Sequence, residues 1–311
     1  MTFSLVAIAA LLAACGKSPA PAEVEVIDTV VINDHNTLTQ DLARALERTR
    51  LLEEDAAVLD LAGRETYEHD AFALARQLEA AQNLAAKVEN APLPGDKAKV
   101  RELSSAVRSE LASAAAAATA FDQQVRDESA PADKQALADK AAMIGSQILQ
   151  AAGDHAKLVA DIVSVSKVDM VIWDEILPQH ELAFHRSRAL WHAANMLGHD
   201  SSDKSWADYW KREADAMSRH IAAASAALPA VEAKSGEAAR AGLAEMKKLE
   251  ASAKEHADAL VAELAKAKPD FEKAKEQAEQ AREDMAKAEA EHRRIAQHDK
   301  TKPYPQYDFN K

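Results

Sequence analysis

Four histidines crowd into one short stretch of this chain: His180, His185, His192 and His199. The last three recur every seven residues, so a helix would carry them on one face, with Leu182, Ala189 and Met196 between them. Met196 stands four residues after His192 and three before His199. That spacing aligns two imidazoles and a thioether along one stripe, donors suited to copper or to axial haem ligation. Histidines seven apart are separated by about 10 Å along a helix axis, so one ion cannot reach all of them. A second helix must contribute, and His155, Asp169 and His220 are the candidates from neighbouring segments. The competing reading is structural: the histidines line a partly polar groove of an ordinary bundle, since the chain contains no His-x-x-x-His pair.

The run His180-Glu181-Leu182-Ala183-Phe184-His185 invites comparison with a zinc-protease helix and fails it. Its second histidine comes one residue late, so the two imidazoles diverge around the helix. No CxxCH, GxSxG or phosphate loop occurs. On these grounds the chain is not expected to be an enzyme, and no cofactor is assigned to it. His155 and Asp169 fall on an apolar seam, where a polar side chain needs a partner on another helix or serves to fix register.

The elements that must position these residues read as long helices. The stretch from Met170 to Trp210 holds all four tryptophans, and aromatic burial predicts that the best-packed core lies there. Trp206, Tyr209 and Trp210 sit near a helix start and, with Trp191, could line a groove for a ligand or partner. Elsewhere alanine supplies much of the apolar content, there are only 8 Gly, and 29% of residues are charged, a composition of long helices. The net charge of −13 disfavours nucleic acid as a partner.

Apolar residues at three-four spacing run from Leu38 to Gly63 and resume from Tyr67 to Val88, which predicts one long helix interrupted by a stutter. Thr37 and Gln40 suggest its start, and Val24 to Ile32 before it read as a short strand or a segment lying on the bundle. Asp96 can cap a second helix, Pro131 marks the next turn, and Pro178 kinks or breaks a third. A fourth ends near Leu228, and a fifth starts at Pro229 and keeps its register through a bend at Pro269. The charges of this last segment alternate in sign and read as a solvated face. The expected fold is therefore all-α: an elongated antiparallel, coiled-coil-like bundle of about five long helices over residues 36–299, with an aromatic and proline-rich tail at 300–311.

The N-terminus carries a different signal. Phe3 to Ala14 is a short apolar run, too short to span a bilayer, and it ends in Leu12-Ala13-Ala14-Cys15-Gly16. This resembles the lipobox of bacterial lipoproteins. The resemblance covers the signal region alone and departs from the pattern in lacking Lys or Arg within Met1–Ser4. It implies that residues 1–14 are a signal peptide, that Cys15 becomes the acylated N-terminus, and that residues 15–35 form an anchored linker. Several acyl chains on one residue give a stable membrane anchor. Gly16 in place of aspartate implies outer-membrane sorting on the periplasmic side. The leading expectation is an outer-membrane-tethered helical lipoprotein acting as a binding or scaffold module, with a possible protein partner along its helical surface. The alternative is a metal- or haem-binding lipoprotein whose ligands lie on the Glu181–His199 helix.

Overall fold

The computed structural model describes residues 27–57, 59, 64–127, 133–166, 176–199, 204–234 and 237–297. Residues 1–26, which include Cys15, and the tail at 300–311 lie outside the described residues, as do Trp173 and Asp169. Among the described residues the regular structure is entirely helical, in eight helices: α1 (Thr29–Ala56), α2 (Arg64–Glu89), α3 (Lys97–Arg126), α4 (Lys134–Ser166), α5 (Ile176–His199), α6 (Lys204–Lys234), α7 (Glu237–Leu264) and α8 (Phe271–Gln297). No described helix is long and apolar enough to cross a membrane.

Among the described residues eight helices stand where about five long ones were expected, because three of the long segments divide. The seam from Leu38 to Val88 is buried almost throughout, as its spacing implies, but it belongs to two helices, α1 and α2, that fold against each other. Tyr67 ties the first turns of α2 to the last turns of α1 by donating its hydroxyl to the Leu52 carbonyl at 3.0 Å. At the other end, α1 starts at Thr29, ahead of the start expected at Asn36 or Thr37, because the Asp28 carboxylate accepts the Val30 N–H at 2.8 Å. Val31 and Ile32 therefore lie in a helix and not in a strand. Burying them against Leu158, Val159 and Ile162 of α4 outweighs their β preference.

Pro229 does not start a helix; α6 runs through it to Lys234. Proline removes one backbone donor and crowds the preceding turn, which a packed helix can absorb. Pro269 does more than bend its segment. Asp270 accepts the Lys273 N–H at 3.2 Å and gives its own N–H to Glu263 Oε1 at 3.1 Å, so a cap and a side-chain clamp close a turn between α7 and α8. The two helices fold back on each other, and the seam expected to form one rod becomes two facing seams. Asp96 caps α3 as its position suggests, accepting the Ala98 N–H at 2.9 Å, and the preceding Gly95 takes the positive φ of 100° that its turn requires.

The eight helices form two rings of four. In the first, α1 packs on α2, α2 on α3, α3 on α4, and α4 back on α1. Its core is aliphatic and alanine-rich, with Leu42, Leu46, Leu74, Leu78, Leu111, Ile144 and Ile148 around an edge-to-face pair of Tyr67 and Phe121 with centroids 6.2 Å apart. Alanine and glycine let the helices approach closely: a Cβ on Gly145 of α4 would stand 2.9 Å from Thr49 Oγ1 on α1. The second ring closes as α5 on α6, α6 on α7, α7 on α8 and α8 on α5, around Trp210, Met217, Leu260 and Met285. Among the described residues the aliphatic core of the first ring is the more extensive of the two, while Trp173 and the Trp206 side chain of the tryptophan stretch lie outside them.

The rings meet where α1 touches α5. This junction is charged. Arg186 of α5, 2% exposed, binds Glu54 at 2.6 Å and Asp55 at 2.9 Å on α1, together with Glu213 of α6 at 3.0 Å. Arg212 of α6 donates to the Glu54 carbonyl. Burial works against a charged Arg186, but the three carboxylates outweigh it and raise its pKa. Burial likewise pushes Glu213 up to about 7 although Arg186 opposes it. Glu54 goes the other way: burial is overcome by His220 and Arg186, and its pKa falls to about 2.

Candidate metal centre

Two clusters of carboxylates and imidazoles flank the start of α5. In the first, Glu47 of α1 meets Glu181 and His185 of α5, and one ligand atom from each lies within 4.8 Å of the others. His185 Nε2 is 2.6 Å from Glu47 Oε1. Helix geometry explains the grouping: residues four apart share a face, so Glu181 and His185 both turn toward α1. Glu47 is buried and its two partners are half-buried. Burial disfavours a charged His185, but Glu47 and Glu181 beside it outweigh that and raise its pKa. Burial first, then the Glu289 and Glu47 carboxylates, push Glu181 up to about 8. A proton between Glu47 and His185 thus holds together groups that would otherwise present two adjacent carboxylates and an imidazole.

In the second cluster, His180 turns to the other side of α5. Its Nδ1 lies 2.8 Å from Glu250 Oε1 of α7, and its Nε2 lies 3.0 Å from Glu289 Oε2 of α8. His180 and both carboxylates are buried. His292 completes the set: its ring centroid is 5.0 Å from that of His180, and ligand atoms of His180, Glu289 and His292 fall within 4.8 Å of one another. Burial alone would lower the His180 pKa; its hydrogen bonds to Glu250 and Glu289 reverse this and push it up to about 10.

The divergence of His180 and His185 that rules out a zinc-protease helix is what gives each histidine its own cluster. The seven-residue stripe does not gather into one site within the described side chains. His185 faces Glu47, whereas His192 is exposed. The side chains of Met196 and His199 lie outside the described residues. The proposed helpers from other segments are also engaged elsewhere. His155 pairs with His35 of α1, His35 Nδ1 to His155 Nε2 at 3.0 Å with the rings stacked. His220 is held by Gln179 at 2.8 Å and lies 3.2 Å from Glu54. In the suggested aromatic groove, Trp210 is fully buried, Tyr209 half-buried, and Trp191 lies under the Arg282 guanidinium at 4.7 Å. The Trp206 side chain falls outside the described residues.

The sequence reading missed Glu47, Glu181, Glu289 and His292 as ligands, and Glu250 as a partner of His180. One signal was available: Glu289-x-x-His292 puts a carboxylate and an imidazole one turn apart on α8, beside the buried Ala288. It was hidden in a segment dense with glutamates, where spacing does not separate a buried acid from solvated ones.

Comparison with known protein families, curated proteins and solved structures finds no match to this chain.

Proposed function

We propose that this chain is a lipid-anchored envelope protein whose helical domain binds a divalent metal ion between α1 and α5. The observation that carries the reading is the convergence of Glu47, Glu181 and His185 to within 4.8 Å at the junction of the two rings. Two carboxylates and one imidazole, without thiolate or thioether, suit zinc, manganese, iron(II) or cobalt(II) better than copper(I) or haem. Bound there, the ion would replace the proton shared by Glu47 and His185 and link the first ring to the second. The short turns between packed neighbours support an antiparallel arrangement of helices within each ring. The anchor rests on the Leu12-Ala13-Ala14-Cys15 run, which supports the outer membrane, periplasmic side, as location and the membrane as partner through Cys15.

The test uses the full-length protein in detergent, dialysed against zinc or cobalt(II) at pH 7.5. Bound metal measured by elemental analysis should depend on His185, so His185→Gln should lose an ion that the parent holds. A parent that binds no divalent ion, or a His185→Gln variant that binds as many ions with unchanged affinity, contradicts the proposal. The anchor is checked separately: Cys15→Ser should move the protein from the membrane fraction to the soluble one, and unchanged sedimentation would contradict it.

A further inference from the structure

We propose that His180, Glu289 and His292 bind a second divalent cation, with Glu250 holding His180 in place. The inference rests on the metal-binding reading above and extends it from one ion to two, held by successive residues of α5. Three observations support it. The first is geometric. Ligands about 2.0–2.2 Å from one ion stand roughly 3–3.6 Å apart in a tetrahedral site, and the donor atoms of this set already lie within 4.8 Å of one another. His180 Nε2 and Glu289 Oε2, at 3.0 Å, need almost no movement to share an ion.

The second observation is the position of Glu250. A metal-bound histidine generally donates its other ring N–H to a carboxylate, which fixes the tautomer and orients the ring. Glu250 Oε1 at 2.8 Å from His180 Nδ1 is placed for this, on a third helix and 1% exposed. It leaves Nε2, 3.0 Å from Glu289 Oε2, as the donor for an ion.

The third is charge. The two clusters bring four glutamates, Glu47, Glu181, Glu250 and Glu289, into one region of the second ring and its junction with α1. Buried carboxylates require compensation. Two divalent ions would neutralise all four with every imidazole left uncharged, as ligation requires. One ion would leave two carboxylates to be balanced by protons.

Zinc and cobalt(II) are the probes, used separately with the full-length protein in detergent. Wild type should bind two ions per chain, and cobalt(II) titration should show two successive visible-absorption phases. His292→Gln removes a half-buried ligand at least cost to the fold; it should bind one ion and show one phase. Glu250→Gln keeps a hydrogen-bond acceptor, so it should retain two ions but hold the second some 10–100-fold more weakly. If wild type binds one ion that His185→Gln abolishes and His292→Gln keeps, the second site is overturned while the first stands. If it binds one ion that His292→Gln abolishes and His185→Gln keeps, this cluster is the real site and the first is lost. No binding at all overturns both. Should His292→Gln fail to fold by circular dichroism, the wild-type count and the number of cobalt phases still decide between one ion and two.

Discussion

Mild acid should strain the first ring at one pair of side chains above others. His35 and His155 are 0% and 1% exposed, share a hydrogen bond, and stack. Their tautomers are fixed by the groups around them. Thr39 Oγ1 donates to the His35 carbonyl at 3.2 Å, so it accepts from His155 Nδ1 at 3.4 Å, and His155 Nε2 in turn accepts from His35 Nδ1–H. A proton on His155 Nε2 breaks this chain, one on His35 Nε2 buries a charge against the stacked His155 ring, and protonating both sets two buried charges side by side. Burial lowers His35 to about 4 against a small opposing pull from Asp34, and burial together with His35 lowers His155 to about 3. Both lie below the unfolded value of about 6.5, so the stability they contribute is fully present above that pH and is lost as pH falls. Between about pH 6 and pH 4 the unfolded chain binds up to two more protons at these sites than the native one. The slope is then up to about 2.7 kcal/mol per pH unit. Other groups also titrate: Glu181 and Glu213, raised by burial, favour the folded form as pH falls, and Glu54 loses its contribution below its ordinary range. A paired comparison cancels them. Urea unfolding followed by circular dichroism at pH 5.0, 6.0 and 7.0, on wild type and on His35→Gln/His155→Gln, should give a stability difference that shrinks by about 2 kcal/mol or more between pH 6 and pH 5. Parallel pH profiles would refute the claim that both rings are buried in the neutral form.

Two glycines of α4 should respond oppositely to the same change. Gly145→Ala puts a methyl 2.9 Å from Thr49 Oγ1, whose hydroxyl is tied to the Leu46 carbonyl at 2.7 Å. The overpacking cost of about 1–3 kcal/mol exceeds the gain in helix propensity, so the melting temperature should fall. Gly153→Ala meets nothing within 4 Å and should stabilise the protein by about 0.5–1 kcal/mol; equal shifts at the two positions would contradict the packing described. Arg186→Met should destabilise by about 3–5 kcal/mol because it strands Glu213 without its cation, and adding Glu213→Gln should recover part of that loss. If the double variant is no better than the single one in urea unfolding, the Arg186–Glu213 pair is not the source.

The first seam was legible in the sequence because burial repeats with the helical period: Leu38 to Val88 reads correctly as core. Helix number was not, since the same seam can continue as a rod or fold back on itself, and only turn chemistry such as the Asp270–Glu263 clamp decides. Pro229 and Pro269 have the same local chemistry and opposite outcomes, one inside α6 and one outside α8. The candidate site was half visible. His185 stood out by type and position, but Glu181 figured only in a motif that failed, and Glu47 comes from another ring and carries no local mark. The stripe through His192 followed from helical spacing alone, which does not say which part of a face meets a neighbour.

The central claim is that a divalent ion belongs between Glu47, Glu181 and His185. Crystals of the full chain grown with zinc, with data collected on both sides of the zinc edge, test it most directly. The account predicts an anomalous peak about 2.0–2.2 Å from His185 Nε2 and from a carboxylate oxygen of each glutamate. Zinc found only at surface positions, with His185 still hydrogen-bonded to Glu47 at the 2.6 Å seen here, would contradict it.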